Sequence, residues 1–171
     1  MIMNTRKVVY LGLCLALALI LSYVESLIPF GFGIPGIKLG LANIVILVLV
    51  YQDMEKEGFA IQIARVLLAG FMFGSLSSII YSLAGGILSF IVIVLLKKIN
   101  IFSLRGVSIA GGTAHNIGQL LAASFIVRTN VFSFYIPYLL ISGIITGLLI
   151  GIIGSIIVGR VKLNTFWSKE L

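Results

Sequence analysis

Three groups of residues in this 171-residue chain have the types and spacing to do chemistry. The first is Gly111-Gly-Thr-Ala-His-Asn-Ile-Gly-Gln119. His115 and Gln119 stand four apart and share a helix face, with Asn116 one step around. The second is one acid and two bases, Glu25, Lys38 and Arg128, expected at one rim with Asn43 nearby. They read either as a structural ion pair or as a site for an anionic or zwitterionic ligand. The third is Arg65, an isolated cation within an apolar run. It is open to three readings: a side chain that snorkels to the surface, a buried pair, or a contact with a partner protein.

Other chemistries find little support. The chain holds one aspartate, Asp53, and no paired carboxylates at a catalytic spacing. No phosphate-binding G-x-x-x-x-G-K-[ST] loop occurs, so ATP is not hydrolysed by that route. A single histidine and scarce acids argue against a metal site, and no cofactor is expected. A lone cysteine, Cys14, rules out an intramolecular disulfide.

The elements that position these groups must be membrane helices. Hydrophobic residues make up 60% of the chain and charged residues 10%, and the mean hydropathy is +1.23. Soluble domains carry about 25% charged residues; this chain has too few to cover a water-facing surface. At roughly 20 residues per span, the length allows about six helices in one transmembrane domain over 1–171. The net charge of +7 does not indicate nucleic acid, because the cations are scattered over loop ends rather than along one face.

Six spans are expected, at about 8–27, 39–51, 59–73, 79–96, 106–127 and 134–158. Arg6 and Lys7 before the first run resemble a signal peptide, but no A-x-A-like site follows, so a retained helix is expected. Between spans one and two, Ile28–Lys38 holds two prolines and three glycines and cannot be regular helix. Spans two and three look short for a ~30 Å hydrocarbon core. With the amino terminus inside, Arg6, Lys7, Lys56, Lys97, Lys98, Arg105, Arg160, Lys162 and Lys169 fall on the cytoplasmic side. Lys38 and Arg128 fall outside. That asymmetry places both termini in the cytoplasm and the chain in the cell membrane as a multi-pass protein.

At about 1.5 Å per residue, His115 lies some 13 Å into span five, near mid-membrane. Polar groups there must find partners, so His115, Asn116 and Gln119 are expected to face the bundle interior. Gly143-x-x-x-Gly147-x-x-x-Gly151 in span six and Gly12-x-x-x-Ala16 in span one are small-residue ladders that allow close helix approach. The span-six ladder reads as internal packing. The span-one ladder is open between packing and a contact with another subunit.

Pro35-Gly-Ile-Lys-Leu-Gly-Leu-Ala-Asn43, Arg65-Val-Leu-Leu-Ala-Gly70 with Phe73-Gly74, Tyr81-Ser-Leu-Ala-Gly-Gly86 and Gly111–Gln119 together resemble the Gx transporter family, also labelled heptaprenyl diphosphate synthase component I. The overall plan is also similar to the S components of energy-coupling-factor transporters. That likeness implies a ligand site toward the outer face under the first loop. It also implies a small-residue face on span one, Gly12 and Ala16 here, that meets a transmembrane coupling subunit.

Two functional expectations follow. The first is a substrate-binding integral membrane subunit for uptake of a small organic molecule, coupled to separate scaffold and ATPase proteins. Glu25, Lys38, Asn43 and Arg128 would form its outer gate and His115, Asn116 and Gln119 its inner pocket, with Gly12, Ala16 and Arg65 as partner contacts. The second is a non-catalytic accessory subunit of a heptaprenyl diphosphate synthase, or of quinone or flavin redox metabolism. Prenyl elongation itself needs carboxylate clusters to hold Mg²⁺, and one aspartate cannot supply them.

Overall fold

A computed structural model describes residues 5–27, 40–127 and 136–161. They form six helices: α1 (Thr5–Leu27), α2 (Asn43–Tyr51), α3 (Glu55–Phe73), α4 (Leu76–Ile99), α5 (Leu104–Val127) and α6 (Ile136–Arg160). No strand occurs among the described residues. Three of the helices, α1, α4 and α6, are long and apolar enough to cross a membrane. Helix α5 matches them in length, but its Thr113, His115, Asn116 and Gln119 dilute its apolar character.

Helix α2 has only 9 residues, a rise of about 14 Å. It starts later than the sequence suggests because Gly40 turns left-handed (φ +68°). Seven consecutive residues, Ile44–Val50, are buried. A helix that is apolar on every face must be enclosed on every face, and α2 packs against α1, α3, α4 and α6. Around it, α4 lies along α5 and α5 along α6, while α1 leans on α3. The outward faces of α1, α4, α5 and α6 are apolar, from Leu13 and Leu17 to Leu95, Phe125 and Ile153.

The helix ends are specified locally. Ser75 caps α4 by accepting a hydrogen bond from the Ser78 amide at 3.2 Å. Asn100 closes the same helix in the left-handed conformation (φ 57°). Glu55 and Glu57 occupy the first turn of α3, and Lys97 and Lys98 the last turn of α4. Both placements suit the helix dipole. Lys97 Nζ donates to the Val50 carbonyl at 2.6 Å and to Asp53 at 2.7 Å, tying the α2–α3 turn to the end of α4. Lys7 donates to Glu57, and Gln52 Nε2 donates to the Val161 carbonyl at 3.0 Å. One end of the bundle thus gathers the start of α1, the α2–α3 turn and the ends of α4 and α6.

Candidate functional site

At the other end, a cavity of about 210 Å³ opens between five helices. Helix α1 contributes Ser22, Glu25 and Ser26, one helical turn of a single face. Gly40 and Asn43 come from the entry to α2; Arg65, Ala69 and Phe73 follow one another at four-residue intervals down α3. Ser78 and Ser82 come from α4 and His115 from α5.

Arg65 forms the polar floor and is 8% exposed. Its Nη1 donates to Ser22 Oγ at 3.3 Å, and its Nη2 donates to Asn43 Oδ1 at 3.3 Å and to Gln62 Oε1 at 2.8 Å. Its Nε is buried without a hydrogen-bond partner. Gln62 is set by a glycine on the next helix. A Cβ at Gly86 would stand 2.2 Å from Gln62 Nε2, so glycine there lets the carboxamide lie against α4 and hold Arg65. Glu25 Oε1 accepts the Gly40 amide at 2.6 Å, fixing the end of α1 to the turn that starts α2. Gly40 supports this joint by conformation, since a side chain there would meet both the positive φ and Asn43 Nδ2 at 2.9 Å.

His115 is 7% exposed and reaches the cavity because α4 and α5 touch backbone to backbone. A Cβ at Gly85 would lie 2.6 Å from the His115 carbonyl and 3.2 Å from its Cε1. A Cβ at Gly118 would lie 2.7 Å from the Ala84 carbonyl. The glycines of the two motifs are what bring the imidazole under α4.

The structure therefore brings Glu25, Asn43, Arg65 and His115 together, merging a rim and a mid-membrane group that the sequence suggests are separate. Asn116 and Gln119 are buried elsewhere. Asn116 Nδ2 donates to the Leu139 carbonyl at 2.7 Å and to Ser142 Oγ at 3.0 Å, joining α5 to α6. Gln119 packs its Cγ toward Gly85. Gly12 and Ala16 sit on the exposed side of α1, and nothing lies within 4 Å of a Cβ built at Gly12. Lys38 and Arg128 lie outside the described residues. The lining serines escape a search for charged or aromatic groups. The spacing of Ser22, Glu25 and Ser26, and of Ser78 and Ser82, is the signal that marks them.

Among the described residues, no group of His, Cys, Asp and Glu gathers that could hold a metal ion. The cavity wall combines the charged groups of Glu25 and Arg65 with the hydrogen-bonding side chains of Ser22, Asn43 and His115.

The family described as heptaprenyl diphosphate synthase component I matches residues 14–157, and the chain belongs to it. No curated protein and no solved structure matches the chain.

Proposed function

We propose that this member of the heptaprenyl diphosphate synthase component I family is a membrane-embedded binding subunit that captures a small polar molecule for uptake. The observation that carries the reading is the convergence of Glu25, Asn43, Arg65 and His115, from α1, α2, α3 and α5, on one cavity. Ionisable groups at membrane depth are costly and are retained where they serve a site. In this reading all six helices lie in the bilayer as one unit, with α2 enclosed and both termini in the cytoplasm. The end bearing Arg6, Lys7, Lys97 and Arg160 then faces the cytoplasm, as the positive-inside rule requires. The cavity opens toward the outside. Transport would need a coupling subunit and an energy source supplied by other proteins, with the bare face around Gly12 and Ala16 as the first surface to examine.

The family description favours a second reading, a membrane accessory subunit beside a prenyl diphosphate synthase. The cavity speaks against its holding the lipid product. About 210 Å³ is on the scale of an engineered ~150 Å³ core cavity that takes a benzene-sized guest, far less than a long prenyl tail needs.

Native mass spectrometry of the full chain, purified in mild detergent, tests both readings. The binding reading expects a small polar adduct that is absent from Arg65→Ala. A retained prenyl diphosphate with a co-purifying synthase would overturn it.

A further inference from the structure

We propose that the bundle is built as two halves that rock against each other, with Lys97 and Lys98 latching the cytoplasmic end shut beneath the cavity. The inference rests on the binding reading above and adds how access to that site is controlled.

Glycines draw the boundary between the halves. Within α4–α6, Gly112, Gly118, Gly143 and Gly147 press against neighbouring backbone. A Cβ at Gly118 would lie 2.7 Å from the Ala84 carbonyl on α4, and one at Gly143 would lie 2.9 Å from Thr113 Cα on α5. Backbone set against backbone shifts only with its whole helix, so these three helices form a frame. Glycines facing across from α1–α3 to α4–α6 meet side chains instead. A Cβ at Gly154 of α6 would lie 2.8 Å from Leu47 Cδ2 of α2. Gly86 of α4 receives Gln62 of α3, and Gly70 of α3 receives Ile79 of α4. A side chain over a glycine can change rotamer or slide, the kind of contact that permits shear between packed helices.

At the cavity end, the halves are joined by Gly74 and Ser75, the two-residue link between α3 and α4. Gly74 is extended, and a Cβ there would stand 3.0 Å from Gly70 Cα. From this hinge α3 runs 19 residues, a lever about 28 Å long, to the other end of the bundle. There the contact between the halves turns ionic. Lys97 of α4 reaches the Val50 carbonyl and Asp53, and Glu55 at 3.4 Å; Lys98 lies 3.7 Å from Glu55. Asp53 holds a φ of 61° in the α2–α3 turn, a conformation costly for a residue with a side chain, and Lys97 keeps it there. Ion pairs near solvent are individually weak, which suits a contact that must open. Releasing them frees the far end of the lever. Swinging α1–α3 about Gly74 then opens the space below the cavity to the cytoplasm. Lys7 and Glu57 take no part, because their pair joins α1 to α3 within one half.

The test uses the full chain in proteoliposomes, in a Cys14→Ala background with a reporter thiol placed in the cavity wall by Ala69→Cys. A membrane-impermeant maleimide is applied to one face at a time. The parent should react from the outside and resist reaction from the cytoplasmic side. Lys97→Met should raise cytoplasmic-side labelling by about tenfold or more. Glu55→Gln, which removes a partner of both lysines, should shift it the same way by a smaller factor. Glu57→Gln should leave it unchanged. If Lys97→Met yields no monodisperse protein, Glu55→Gln decides the matter. Labelling that stays at the parent's level in every folded latch variant overturns the latch. An equal rise in Glu57→Gln also overturns it, because general loosening would then explain the effect. Native mass spectrometry without the reporter substitution separates the two readings. Unchanged sidedness with a retained adduct overturns the latch alone. An adduct missing from the parent overturns the binding reading and the latch with it.

Discussion

Helices α5 and α6 approach so closely that a Cβ at Gly112 would lie 2.6 Å from the Gly143 carbonyl. Helices α1 and α3 instead meet across a cavity bridged by long hydrogen bonds from Arg65. The first region excludes everything, side chains included; the second leaves room and fills its edges with polar atoms. Both regions bury polar groups, so burial alone does not identify a site. Satisfaction does. Ser108 donates to the Gly147 carbonyl at 2.7 Å, and Asn116 spans to α6 with two good bonds, whereas the Arg65 guanidinium keeps donors in reserve.

The largest effect that sharpens this contrast comes from one substitution made in two places. A Cβ at Gly147 would stand 2.7 Å from both Ile109 Cα and the Ser108 carbonyl, backbone atoms that move only with their helix. Gly147→Leu should cost about 3 kcal/mol or more, at or beyond the upper end of ordinary overpacking. It should appear as loss of monodisperse protein after membrane extraction. Gly12→Leu, with nothing within 4 Å, should leave yield and thermal midpoint unchanged. Equal damage at both positions would break the distinction between a packed ladder and a bare one.

Next in size is the double variant Arg65→Met with Glu25→Gln. Removing a buried charge together with its counter-charge, and replacing it with apolar volume, is often neutral or stabilising. The thermal midpoint should hold within about 1 kcal/mol of the parent, while retention of the native small-molecule adduct disappears. If the double variant unfolds instead, the Arg65 network is a structural strut and the cavity loses its claim to be a site.

His115 and Asn116 make the same comparison between neighbours in sequence. His115→Ala should abolish adduct retention with little change in stability. Asn116→Ala should do the reverse, costing about 1 kcal/mol through its two interhelical bonds while ligand retention persists. Thermal unfolding and native mass spectrometry on the same preparations read both quantities.

These neighbours also mark the limits of what the sequence discloses. Hydropathy and punctuation place all six helices to within a few residues, because long apolar runs and the charged, Gly- or Pro-containing breaks between them mark helix length and ends. The later start of α2 depends on Gly40 adopting a positive φ, which no periodicity records. Within α5, the 100° step between His115 and Asn116 decides cavity or interface, and only the neighbouring helices determine which direction is which. Arg65 has three readings as a lone cation. It becomes part of a site through Gln62, which Gly86 admits on a different helix, and a coupling through the fold leaves no trace in local spacing.

The smallest expected effect lies at the opposite end of the bundle, where charges are paired near solvent. Glu57 has its carboxyl held below the usual value of 4.5, chiefly by the hydrogen bond from Lys7, against a weaker opposing effect of burial. The folded state thus binds fewer protons than the unfolded state between the lowered and the ordinary values. Its stabilising contribution is complete above the ordinary value and is lost as pH falls through the lowered one. Both side chains touch solvent, so the contribution should stay below about 1 kcal/mol. The thermal midpoint of Glu57→Gln should lie slightly under the parent's at neutral pH, and the gap should close on acidification below 4.5. Ligand retention should be the same in both proteins at neutral pH. A constant gap across the titration would show that Glu57 contributes through shape rather than charge. A loss of ligand on substitution would mean that the two ends of the bundle are coupled, and the division between a paired end and a binding end would fail.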